Sequence, residues 1–178
     1  MIMAVITATT AAQLFIAQIE AAPPVTWTLA AKQQLAYAVA LEYGIPPGAF
    51  CAVVQGESDY DENAVSSSKC LGLTQISPRA WSVDMARIFE PLYNLRYGAK
   101  IFKLMLSMYE GDVLKAAIAY NIGHGALNKL LASPSWRARV PRATWRYAVR
   151  IENEVWQPSE QAAAWIANLE REEVDLAR

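Results

Sequence analysis

Apolar positions recur along most of the chain at helical rather than strand spacing. Leu35, Val39 and Tyr43 fall four residues apart and predict a helix that stops at Gly44, a residue suited to the left-handed turn that closes helices. Pro46-Pro47 punctuates the next turn, and a second helix follows through Phe50, Ala52, Val53 and Val54 to Glu57. Ile101, Leu104, Met105 and Met108 predict another buried stripe that ends at Gly111, with Asp112 placed to cap the helix leading into Tyr120-Asn121. Nearer the N-terminus, Thr10 to Ala21 reads as an amphipathic helix with Leu14, Ile16, Ala17 and Ile19 partly buried, ended by Pro23-Pro24. The Met and aromatic stripes are read as core.

Between Glu57 and Pro78 the pattern changes to Ser, Lys, Gly and β-branched residues. This stretch holds the only strand-like material and is expected to form a small irregular sheet or loop along one wall of a cleft. At the far end, Trp165, Ile166 and Leu169 precede the charged run Glu170-Arg171-Glu172-Glu173 and predict an appended amphipathic helix. The expected organisation is an N-terminal helix and linker over 1–29, a mainly helical domain over 30–157 and a C-terminal amphipathic helix over 158–178. Low-complexity tracts and internal repeats are absent from the sequence.

Composition narrows the classes further. With 178 residues, 54% of them hydrophobic, the chain is long enough for one domain with a sizeable core and too short for a second full one. A formal net charge of -1 argues against a protein that binds nucleic acid through its overall charge. No apolar stretch approaches the roughly 18 uninterrupted residues of a bilayer span, so a soluble protein without a transmembrane segment is expected. His124 is the only histidine and no Cys-x-x-Cys pair exists, so neither a metal nor another cofactor is expected. Cys51 and Cys70 flank Glu57 in sequence; two free buried thiols are the simpler reading, and a bridge requires their Cα atoms to approach within bonding range. Arg142, Arg146 and Arg150 are four apart and form one cationic helix face, joined by Arg137 and Arg139 and interleaved with Trp136, Trp145 and Tyr147. A solvated face whose stems cover apolar surface is the plain reading. The alternatives are contact with an anionic cell-wall polymer, with a partner protein, or with nucleic acid inside a particle.

Candidate chemistry centres on Gly56-Glu57-Ser58, where one carboxylic acid ends a largely apolar helix above a polar loop. Desolvation there raises the carboxyl pKa, so that it stays protonated near neutral pH and can donate to a leaving oxygen. By itself a helix-terminal Glu is more often a solvated surface group. The further signal is Ala119-Tyr120-Asn121-x-Gly123, an apolar helical run that ends at a Tyr-Asn pair and a glycine-rich turn.

Taken in order, Glu57-Ser58, Ala64-Val65-Ser66, Gly72-Leu73-x-Gln75-Ile76-x-Pro78, Asn94-Leu95-x-x-Gly98 and Ala119-Tyr120-Asn121-x-Gly123 resemble the motifs of the soluble lytic transglycosylase (SLT-type) domain of the lysozyme-like superfamily. The resemblance covers roughly Ala30 to Ile151. It implies a mainly α, α+β lysozyme-like fold with a cleft between the Glu57 helix, the 66–76 loop and the Tyr120-Asn121 helix end. It also implies an enzyme that cuts the glycan strands of peptidoglycan between N-acetylmuramic acid and N-acetylglucosamine. Glu57 is then the single catalytic acid/base, and the muramic C6 hydroxyl closes a 1,6-anhydro ring through an oxazolinium formed by the substrate's own N-acetyl group. Ser66 matches the serine that bonds the N-acetyl group and Gln75 the cleft glutamine. Tyr120 and Asn121 match the pair that orients the acid and the sugar, and Ser58 and Tyr147 complete the expected substrate-binding set. The plain alternatives are a buried tyrosine with a satisfied hydroxyl for Tyr120 and a helix C-cap for Asn121.

Three positions depart from the family pattern. Thr74 stands where members often carry a cleft-floor Met, Lys69 near a common Gly, and Ala143 at the Glu of a late Glu-Thr-x-x-Tyr motif that reads here Ala143-Thr144-Trp145-Arg146-Tyr147. A water-positioning carboxylate among Asp59, Asp61 and Asp84 would instead make a hydrolytic muramidase, although Asp59 and Asp61 read more simply as turn residues. A third reading is a structural component of a virion or secretion machine that keeps the fold for binding. A secretory leader needs a positive start, and no Lys or Arg precedes Lys32, while Gln13, Gln18 and Glu20 interrupt the apolar run. Action in the periplasm or cell wall after delivery by a phage particle or similar machine is therefore expected, with the terminal helices as docking candidates.

Overall fold

A computed structural model of the chain describes residues 8–23 and 26–154, so the expected helix at 158–178 lies outside the described residues. Among the described residues eight helices follow in order: α1 (Ala8–Ala21), α2 (Leu29–Tyr43), α3 (Pro47–Ser58), α4 (Pro91–Met108), α5 (Val113–Ile122), α6 (His124–Leu131), α7 (Trp136–Arg139) and α8 (Arg142–Asn153). Their boundaries follow local chemistry. Thr28 caps α2 by accepting from the Ala31 N–H, and Gly44 ends it at φ 64° with its own N–H on the Ala40 and Leu41 carbonyls. Asp112 caps α5 by accepting from the Lys115 N–H. Proline opens α3 and α4, where the missing N–H has no intrahelical partner to lose.

The main core joins helices from both ends of the chain. Phe50 of α3 and Phe102 of α4 are both fully buried, with ring centroids 6.5 Å apart, and Phe102 meets Tyr120 of α5 edge-on at 6.1 Å. Ala12 and Ile16 of α1 are buried in this same core. The opposite side of α1 differs from expectation: Leu14 is 51% exposed and Ala17 faces solvent, because the stripe follows 12 and 16. A similar correction applies to α4. Ile101 and Met105 are buried, but Leu104 and Met108 are 43% and 46% exposed, since the face packed on α2 and α5 is the one set by 95, 98, 99, 102 and 105.

In the 57–78 stretch, pairing amounts to two isolated antiparallel bridges, Val65 with Leu71 and Leu71 with Ile76. A second small core of Leu71, Ile76, Ile88 and Ile101 lies beneath this irregular hairpin. Cys51 and Cys70 are both free, and burial pushes the Cys51 thiol up to about 12. No helix among the described residues is long and apolar enough to cross a membrane.

Candidate active site

Glu57 occupies the last turn of α3, and the chain leaves that helix through Asp59 and Tyr60 in left-handed conformation, at φ 53° and 62°. The Tyr60 side chain is buried and its hydroxyl donates to the Cys51 carbonyl at 3.1 Å, which turns the chain back beneath the helix. The Glu57 carboxyl is half-buried. Desolvation raises its pKa above the ordinary carboxylate value, and a hydrogen bond from Tyr147 partly opposes that rise. The bond is 2.7 Å, from the Tyr147 hydroxyl of α8 to Oε1 of Glu57. Burial and the neighbouring carboxylate hold the Tyr147 phenol well above its usual range, so it remains a donor.

α8 lies this close because position 56 is glycine. A Cβ there would come within 2.5 Å of Arg150 Nη2 and 2.8 Å of Tyr147 Cε2. Arg150 Nη2 also donates to the Ala52 carbonyl at 3.2 Å, a second tie between the two helices.

The facing loop is strapped from three helices. From α3, the Ser58 hydroxyl donates to the Leu73 carbonyl at 2.8 Å; from α5, the Tyr120 hydroxyl donates to the Thr74 carbonyl at 2.8 Å. From α4, Oδ1 of the buried Asn94 side chain accepts from Thr74 N and Oγ1 at 2.8 and 2.7 Å, and its Nδ2 donates to the Leu71 and Ile88 carbonyls at 3.1 and 2.8 Å. A Cβ at Gly72 would lie 2.2 Å from the Asn94 amide nitrogen, and one at Gly98 2.5 Å from Thr74. Both glycines are thus close-approach positions. Thr74 is fully buried against α4 and so leaves the cleft floor, because its hydroxyl finds a buried acceptor in Asn94 and Gly98 leaves room for it.

Ser66 and Gln75 brace the same loop. Ser66 Oγ accepts from the Cys70 N–H at 3.0 Å, and Gln75 Nε2 donates to the Ala64 and Gly72 carbonyls at 3.2 and 3.0 Å. Lys69 has φ 65°, the left-handed conformation that glycine adopts freely. Asn121 is exposed and its Oδ1 accepts from Thr144 Oγ1 of α8 at 2.8 Å, while Gly123 supplies the cap of α5.

The structure therefore brings Glu57 and Tyr147 into direct contact. Burial, and after it the nearby Glu57 charge, raises the Tyr120 phenol pKa, and Asn121 is linked to the Tyr147 helix through Thr144. Ser58, Ser66 and Gln75 are tied to the loop facing Glu57. Gly56, Asn94 and Thr144 fall within stretches that the sequence pattern singles out, but that pattern does not assign them the contacts they make here: a glycine directly before the acid in a helical run signals close approach, whereas nothing local to Asn94 shows that it braces the loop. The aspartates hold turns: Asp59 Oδ1 accepts from Gln55, Asp61 Oδ1 from the Asn63 N–H and Asp84 Oδ1 from the Ala86 N–H. Among the described residues no group of three His, Cys, Asp or Glu side chains could hold a metal.

A half-buried carboxyl at a helix end, above an irregular loop in a helical domain, fits the plan of a lysozyme-like fold. The chain belongs to the transglycosylase SLT domain family, whose model matches residues 34–141. It is 32% identical over 93 residues to the transglycosylase of Enterobacteria phage PRD1, a match covering 52% of this chain and 34% of that protein. Its fold is similar to the X-ray structure of an inactive mutant of lytic transglycosylase Slt from Pseudomonas aeruginosa, with a TM-score of 0.60 at 19% identity over 82% of this chain and 29% of that one. The chain thus spans about a third of the length of either relative. The family match ends before Tyr147, so the residue bonded to Glu57 lies beyond it.

Proposed function

We propose that the protein is a peptidoglycan lytic transglycosylase that cleaves the β-1,4 bond between N-acetylmuramic acid and N-acetylglucosamine and leaves a 1,6-anhydromuramic end. The observation that carries this reading is Glu57 itself: a carboxyl with a desolvation-raised pKa, held by a neutral phenol, with the nearby aspartates committed to turns. A raised pKa suits proton donation to the glycosidic oxygen as the C1–O4 bond breaks. The resulting Glu57 carboxylate then takes the proton of the muramic C6 hydroxyl as its oxygen closes on C1, so Glu57 is regenerated and no water is consumed. A two-carboxylate glycosidase would hold a second acid opposite the first.

In this reading Tyr147 orients the acid. Ser66, whose oxygen accepts a backbone N–H, keeps its hydroxyl proton for the substrate N-acetyl carbonyl, and Gln75 keeps its amide oxygen for a sugar hydroxyl. Tyr120 shapes the loop from behind, and Asn121, on the exposed end of α5, meets the sugar. Likeness to a phage transglycosylase supports local cell-wall penetration by a phage-borne protein acting in the periplasm or wall, with the terminal segments docking to virion or secretion-apparatus proteins.

The test is mass spectrometry of muropeptides released from purified peptidoglycan by the native protein and by Glu57→Gln. Products one water lighter than hydrolytic ones, lost in the variant, are expected. Hydrated reducing ends would make the protein a muramidase. Absence of any release, where a known muramidase works, would leave a structural or binding role.

A further inference from the structure

A groove of about 760 Å³ opens where the C-terminal ends of α1 and α2 meet the N-terminal half of α4. Ile19 and Glu20 come to it from α1, Trp27 from the link that follows, Tyr43 from the end of α2, and Tyr93 and Tyr97 from α4. Its size falls within the roughly 300–1,000 Å³ of sites that hold small ligands. None of the residues that bond Glu57 or strap the facing loop lines it. Tyr43 leads into α3 whereas Glu57 closes that helix, roughly 15 Å further along its axis. Ile19, Glu20 and Trp27 also precede residue 34, where the family match begins, so one wall of the groove lies outside the matched stretch.

The lining combines aromatic rings with charges that cancel. Arg96 donates to both carboxylate oxygens of Glu42, from Nε and Nη2 at 2.9 and 2.7 Å, and from Nη1 to Glu20, which ties α1, α2 and α4 together. Arg87 pairs with Glu90 at 3.0 Å and lies over the Tyr93 ring, 4.9 Å from its centroid. With Lys100 these cations balance Glu20, Glu42 and Glu90, so the formal charges around the groove sum to zero. That balance disfavours an anionic or a cationic ligand and leaves donors and acceptors for a neutral one. Trp27, Tyr43 and Tyr97 are half-buried where they line the groove. A pyranose matches this lining on both counts: its C–H face lies flat on an aromatic ring, and its hydroxyl and N-acetyl groups bond carboxylates and guanidinium groups.

We propose that this groove is a second glycan-binding site, which holds a short run of neutral N-acetylated sugars apart from the scissile bond and keeps the enzyme on its polymeric substrate. The inference rests on the transglycosylase reading, since that reading supplies a glycan strand as the ligand. A β-1,4-linked strand turns successive sugars over, so it offers ring faces to aromatic groups from more than one element, here Trp27 before α2 and Tyr97 on α4.

The test titrates isotope-labelled Glu57→Gln protein with the β-1,4-linked tetramer of N-acetylglucosamine and follows the Trp27 indole N–H and the amides of residues 92–100 by NMR. Saturable shifts at these positions are expected, with Kd raised about 5-fold by Trp27→Ala and about 3-fold by Lys100→Ala. Lys100 is exposed, so its variant reads the groove with packing intact even if the tryptophan variant fails to fold. Absence of groove shifts at millimolar sugar, or an equal response to an α-linked glucose tetramer, overturns the proposal. Groove shifts that appear on raising the protein concentration without sugar assign the surface to a second copy of the chain and overturn it too. Cleavage is read apart from binding, as the ratio of kcat/KM on sacculi to that on short soluble strands. That ratio should fall about 5-fold in Trp27→Ala, and an unchanged ratio overturns the proposal. Groove binding without any cleavage by the native protein leaves the glycan site standing and removes the catalytic reading; cleavage without groove shifts does the reverse.

Discussion

The Tyr147 hydroxyl lies 2.7 Å from Oε1 of Glu57 across 90 residues of sequence, joining the helix that carries the acid to the last described helix of the domain. Two opposing influences on the carboxyl meet there: burial favours the protonated acid, and the phenol donor favours the carboxylate.

Replacing Tyr147 with Phe removes only the second influence. The pKa of Glu57 should rise further, and the alkaline limb of the kcat/KM profile, which reports loss of the acid's proton, should move to higher pH. The rate on the plateau should drop by about 10- to 100-fold as the carboxyl loses its orientation. A pH–rate profile checks both effects. A limb that stays in place or moves to lower pH would separate Tyr147 from the titration of Glu57.

Gly56→Ala probes the same contact from the other side. The added Cβ would meet Tyr147 Cε2 at 2.8 Å, part of a ring wedged between packed helices, as well as the more yielding Arg150 guanidinium at 2.5 Å. Alanine is the better helix former, so a surface glycine would gain stability from this change. Here overpacking should reverse the sign and destabilise by about 1–3 kcal/mol. Activity should suffer more than stability, because the ring that moves is the one bonded to Glu57. Thermal melts and turnover measured together decide it.

Much of this arrangement is legible in the amino-acid sequence alone. The cap at Asp112, the stop at Gly44 and the helix ending at Glu57 are local decisions made by φ preferences and side-chain acceptors. What is not legible depends on which neighbour each face meets. Leu104 and Met108 fit the helical period as well as Met105 does, yet only packing against α2 and α5 decides which are covered. Thr74 looks like a cleft residue in sequence and is buried because Asn94, twenty positions later, offers it an acceptor. The bond between Tyr147 and Glu57 is a tertiary contact that no spacing encodes.

Asn94 should be the most stability-sensitive polar residue of the loop. Its amide satisfies two carbonyls and two Thr74 donors in a buried setting, so Asn94→Ala orphans several groups at once. A loss of about 3 kcal/mol is expected, or roughly 6–12 °C in Tm for a domain of this size. A loss under 1 kcal/mol in denaturant titration would mean that water replaces the amide.

Lys69 tests the loop's backbone rather than its contacts. At φ 65° an L side chain costs about 1 kcal/mol, which Lys69→Gly relieves while adding freedom to the unfolded chain. The glycine variant should lie within about 1 kcal/mol of the native protein, on the stable side, whereas Lys69→Val should lose about 1–2 kcal/mol because a branched Cβ tolerates that region poorly. Equal stabilities for the two variants would argue that the loop does not hold this turn in solution.

The protonation of Glu57 should also be visible in stability alone. Because burial raises its pKa in the folded chain above the ordinary 4.5, the folded protein holds this proton more tightly than the unfolded chain does. The stability it provides is fully present below the unfolded carboxyl's titration and is lost as pH rises through the folded value. Glu57→Gln keeps a neutral group of the same shape and has nothing to titrate. The variant should therefore gain on the native protein as pH rises from about 4 towards neutrality and beyond, with the gap levelling off once Glu57 is ionised in both states. Melting both proteins across that range gives the curve. A gap that is flat, or that closes with rising pH, would mean that Glu57 is no harder to ionise in the fold than in water, and its case as a proton donor near neutral pH would fail with it.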